Sequence, residues 1–127
     1  MDDFSDAALR HYNDAHLLAG TNRFDNASHL LGIAAECALK ARMKLEGLNS
    51  AHVHLPDIVR SYRVAMKGRQ RAALNEAADL VDGADSFSTW DIADRYRTTG
   101  HVTEVIWEQR RRKTGVLFAA LGMRKKT

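Results

Sequence analysis

Apolar side chains recur along this chain every three to four positions, the spacing of an α-helix that buries one face. Phe4, Ala8, Tyr12, Ala15 and Ala19 form the first stripe, with Leu9 and His16 beside it. They predict a helix over 4–19 that Gly20 and Asn22 end. A second stripe runs through Ala27, Leu30, Leu31, Ala34, Ala38, Ala41 and Leu45 and predicts a helix over 24–46. Ala35 and Cys37 widen its apolar surface, which places this helix in the centre of a bundle. Gly32, Ala34, Ala35 and Ala38 are small enough for a neighbouring helix to approach closely, and Gly47 suits the position after the last turn.

The pattern weakens after a loop over 48–55. Pro56 suits a first helical position and Asp57 a first turn. Ile58, Val59, Tyr62 and Ala65 then predict a short helix, broken near Gly68 and resumed over 69–81 by Ala73, Leu74, Ala77 and Leu80. A turn cluster over 82–86 follows. The segment 87–100 is irregular. A last helix is expected over 102–121, with Val102, Val105, Ile106, Val116, Leu117 and Ala120 inward and Gln109, Arg112 and Lys113 interrupting the stripe. No segment alternates with period two, so no sheet is expected. The reading is all-α: a four-helix antiparallel bundle with a broken third helix and an irregular segment before the last one.

Composition narrows the class. A chain of 127 residues fits one domain spanning 1–127, with 45% hydrophobic and 28% charged residues. No apolar run approaches the roughly 20 residues that cross a bilayer. The single cysteine, Cys37, excludes an internal disulfide and fits a reducing compartment. The acidic start Met1-Asp2-Asp3 is unlike a secretory signal, so a cytoplasmic protein is expected. The net charge of +3 permits nucleic-acid contact without demanding it. Basic residues crowd 110–113 and 124–126.

Candidate chemistry is sparse. The chain lacks a phosphate-binding glycine loop, a GxSxG elbow, an HExxH pair and paired cysteines. His52 and His54 are the one close histidine pair, and two ligands without a third do not make a metal site. No metal and no cofactor are expected. Cys37 reads as a small core residue, and His29 as a boundary side chain. Glu36 and Lys40 stand at i, i+4 in the order that favours a helical ion pair. They form an ordinary surface pair or flank a buried functional face. The stretch 90–101 gathers Arg95, Tyr96, Arg97 and His101. An arginine fork holds phosphate, and a histidine moves protons near neutral pH. Together they could cleave RNA without metal, the 2′-hydroxyl attacking the adjacent phosphate. The plainer reading pairs Arg95 with Asp91 or Asp94 and sets His101 as a cap on the last helix.

Residues 29–41, with Ala34-Ala35-Glu36-Cys37-Ala38-Leu39-Lys40 at their centre, resemble the second helix of the HEPN superfamily. These are small four-helix domains of prokaryotic toxin–antitoxin and defence systems. Arg95 and His101, with five residues between them, fall where that family carries Arg-x(4–6)-His, and 54–59 resembles its inter-helix loop. The resemblance implies an all-α homodimer in which arginine and histidine from both subunits form one metal-free ribonuclease cleft. Carried over, Arg95 binds phosphate and His101 transfers the proton, while Arg97 competes for the arginine role from a spacing of three. Tyr96, Arg97, Glu36, Lys40, Arg112 and Lys113 are the accompanying candidates for binding. Many relatives are non-catalytic, so three readings stand: an RNA-directed protein that is a metal-independent endoribonuclease, an antitoxin or immunity-type protein that neutralises a toxin partner, and a helical adaptor or ligand-binding bundle. A mild positive charge fits poorly with capping a basic RNA-cleaving toxin.

Overall fold

The computed structural model describes residues 3–45, 47, 100 and 102–123. Among them are three helices and no strand: α1 (Phe4–Ala19), α2 (Phe24–Leu45) and α3 (Glu104–Ala120). The expected broken helix over 56–81 and the irregular segment over 87–99 lie outside the described residues.

Local chemistry sets the helix ends. The Asp3 side chain caps α1 by accepting a hydrogen bond from the Asp6 N–H at 3.0 Å. At the other end Asn22 takes the left-handed conformation (φ 61°), and the Arg23 and Asn22 N–H groups donate to the carbonyls of Leu18 and Ala19. This is a Schellman closure in which asparagine, not Gly20, supplies the positive φ. The Thr103 hydroxyl caps α3 by accepting from the Ile106 N–H at 3.3 Å. Gly122 (φ 74°) closes its C-terminus, with the Met123 and Gly122 N–H groups donating to Phe118 and Ala119.

Residues 20–23 reverse the chain, so α1 and α2 pack as an antiparallel hairpin. Their shared core is built from alanine: Ala8 and Ala15 of α1 and Ala27, Ala34, Ala35 and Ala38 of α2 have no exposed surface. Such small side chains let the helix axes come close. α2 is the central element, since eleven of its 22 residues are buried, and they cover much more of its circumference than a single stripe. Leu45 departs from the expected stripe: at 81% exposure it has run past the end of the packed region.

α3 lies across α2 and also meets α1. Its N-terminal end is beside the start of α2, because Asp25 bonds the backbone at Gly100 and Val102 and Arg110 reaches Ser28. Against α1 it runs the other way: Trp107 meets His16, Phe118 meets Tyr12, and the Met123 sulfur is 3.7 Å from the Ser5 hydroxyl. α3 is therefore parallel to α2 and antiparallel to α1.

The inward face of α3 differs from the expected one. Trp107, Arg110, Thr114, Leu117 and Phe118 are its buried residues, whereas Val105 and Val116 are 67% and 50% exposed. Ile106 and Ala120 are half-buried. Gln109, Arg112 and Lys113 thus do not interrupt the core. Arg112 is exposed on the side opposite Trp107 and Thr114, and Gln109 and Lys113 are half-buried at its margins. The reason is that the buried stripe itself contains an arginine and a threonine, which hydropathy scores as surface.

Candidate functional site

The core of the sequence-derived site, Arg95, Tyr96, Arg97 and His101, lies outside the described residues, as do His52 and His54. Gly100 and Val102 are described, and they show how the entry to α3 is held. Asp25, in the first turn of α2, uses both carboxylate oxygens. Oδ2 accepts from the Gly100 N–H at 2.8 Å and Oδ1 from the Val102 N–H at 2.9 Å. Charge-assisted bonds of this kind are stronger than neutral ones. Gly100 has φ 94°, a conformation that side-chain-bearing residues rarely adopt. Val102 is buried, and Thr103 then caps α3. Gly100, Val102 and Thr103 are thus held by a side-chain clamp, a core anchor and a helix cap.

One turn into the α2–α3 contact lies a buried polar junction. Arg110, only 4% exposed, donates from its guanidinium to the Ser28 hydroxyl at 2.6 Å. The Thr114 hydroxyl donates to the Arg110 carbonyl at 2.7 Å, which keeps its buried oxygen satisfied within α3.

Glu36 and Lys40 form the expected i, i+4 ion pair, with Nζ 3.3 Å from Oε2. It is not a surface pair: the two side chains are only 8% and 6% exposed. The Lys40 ammonium also stands 5.8 Å above the Phe4 ring, a cation–π contact that ties the start of α1 to α2. Cys37, next to this pair, is half-buried. Burial pushes its thiol pKa up, and the Glu36 charge adds to that, while Lys40 and Arg10 oppose it. A thiol held protonated in this way is a weak nucleophile, in keeping with a packing role.

The seam between α1 and α3 is aromatic. The Tyr12 ring lies 4.5 Å from the His16 ring and 4.9 Å from Phe118, and His16 meets Trp107 edge-on at 5.6 Å. The His16 Nδ1 is 2.9 Å from the Tyr12 carbonyl oxygen, which only a donor N–H can approach favourably. Beside the seam, Arg111 holds Glu108 through two bonds of 2.7 and 3.2 Å to one oxygen. The hydrogen bond from Arg111 lowers the Glu108 pKa, and the same bond raises that of Arg111. Arg112 contacts the Glu108 carbonyl at 3.5 Å and is otherwise presented outward.

Of the sequence-derived binding candidates, the fold therefore brings Glu36 and Lys40 together inside the bundle and leaves Arg112 outside it, on another helix. Asp25, Ser28 and Arg110 were not singled out from the sequence. Their partners lie 75 to 82 residues away along the chain, beyond the reach of local spacing. Among the described residues, no three histidine, cysteine, aspartate or glutamate side chains are grouped to hold a metal ion, and no helix is long and apolar enough to cross a membrane. Comparison with known protein families, with curated proteins and with solved structures finds no match in any of the three.

Proposed function

We propose that this chain is a HEPN-like, RNA-directed helical protein of the toxin–antitoxin or defence type, acting as a metal-independent endoribonuclease through Arg95 and His101. The carrying observation is the clamp at the entry to α3. Asp25 holds the Gly100 and Val102 amides at the start of α2, and these two residues are the chain neighbours of the histidine in the Arg–His motif. Proton transfer to or from a 2′-hydroxyl needs a group held in place, and a clamp on the neighbouring residues supports that reading. Arg95 is the phosphate-binding arginine, His101 the proton-transfer group, and Tyr96 and Arg97 contact the RNA strand. Arg112 and Lys113 add electrostatic attraction from the outer side of α3.

The fold reading that goes with this is a four-helix antiparallel bundle. The chain leaves α2 at Leu45 and re-enters beside Asp25, at the opposite end of a helix roughly 33 Å long. One further antiparallel pass between them completes the bundle. The active form is a cytoplasmic homodimer in which two Arg–His motifs share one cleft.

The test is cleavage of tRNA and of generic RNA in EDTA by the purified protein and by its His101→Ala variant. Cleavage that survives EDTA and disappears in the variant is the expected result. Absence of cleavage by the folded wild-type protein would overturn the ribonuclease reading and leave the non-catalytic toxin-neutralising partner as the reading to pursue.

A further inference from the structure

We draw no further inference here: the strongest candidate, the outward face of α3, where the exposed Val105, Arg112 and Val116 fall in line along the helix, carries nothing because nothing in the structure shows what covers it.

Discussion

Taking an ammonium and a carboxylate out of water costs several kcal/mol per ion, and only close contact with further polar or π partners offsets that cost. Glu36 and Lys40 meet at 3.3 Å with the Phe4 ring beneath the ammonium, so each depends on the other. Lys40→Met is expected to destabilise the protein by about 3–5 kcal/mol, because the Glu36 carboxylate loses its ammonium partner inside the bundle. Replacing both, as Glu36→Leu with Lys40→Met, should recover most of that loss. Urea unfolding of the four proteins in a double-mutant cycle reads the coupling directly, and additive losses would show that the pair does not act as a unit. Cys37 provides a local probe of the same charges. Its thiol pKa lies above the ordinary value of 9.0 through burial first and Glu36 second. Reaction with a disulfide reagent at pH 8 should therefore be slower than for a free thiol and faster in Glu36→Gln, which removes one cause of the shift. The sign for stability follows: with the folded pKa raised, the unfolded thiol ionises first. The contribution is fully present below pH 9 and is lost as pH rises through the folded value.

At the scale of the element, α1 and α2 were legible because most of their inward residues are apolar, and periodicity alone located both helices. α3 was legible in extent but not in phase. Val105 and Val116 score as core and face outward, while Arg110 and Thr114 score as surface and are buried. What reverses them is tertiary: Ser28 on α2 offers the guanidinium a hydroxyl, and Thr114 satisfies itself on the Arg110 carbonyl. Neither partner is visible from a hydropathy pattern. The candidate site shows the same limit. The Arg95–His101 spacing can be read along the chain, but the carboxylate that anchors Gly100 and Val102 comes from another helix. Gly115 within α3 and Gly122 just past it test how well the helix interior and its closing turn are understood. Gly115 lies in the helix interior, where an added Cβ makes ordinary contact with the Tyr12 hydroxyl at 3.9 Å. Gly115→Ala should stabilise by about 1 kcal/mol through helix propensity. Gly122 has φ 74° in the closing turn, and Gly122→Ala should destabilise by about 1–2 kcal/mol although nothing lies within 4 Å of the new methyl. Thermal unfolding of the two variants should move in opposite directions, and equal shifts of one sign would contradict this assignment of the turn.

For the whole molecule, the relative directions of the helices carry the most consequence. An α3 parallel to α2 obliges the chain between them to travel the length of the bundle, whereas an antiparallel α3 would need only a short link. The direction rests on three contacts in order along α1: Ser5 with Met123, Tyr12 with Phe118, and His16 with Trp107. Exposed positions let that order be measured without disturbing the core. Leu17 near the end of α1, Val105 at the start of α3 and Val116 near its end are all open to solvent. Spin labels on cysteines at 17 and 105, in a Cys37→Ser background, should be close, because both sites belong to the His16–Trp107 end. Labels at 17 and 116 should be farther apart, since 11 residues of helix advance about 16 Å along the axis. Pulsed dipolar distances in that order fix α1 and α3 as antiparallel and keep the return pass that the four-helix proposal needs. The reverse order would place Leu45 and Gly100 at the same end, remove the need for that pass, and separate Asp25 from the Gly100 and Val102 amides.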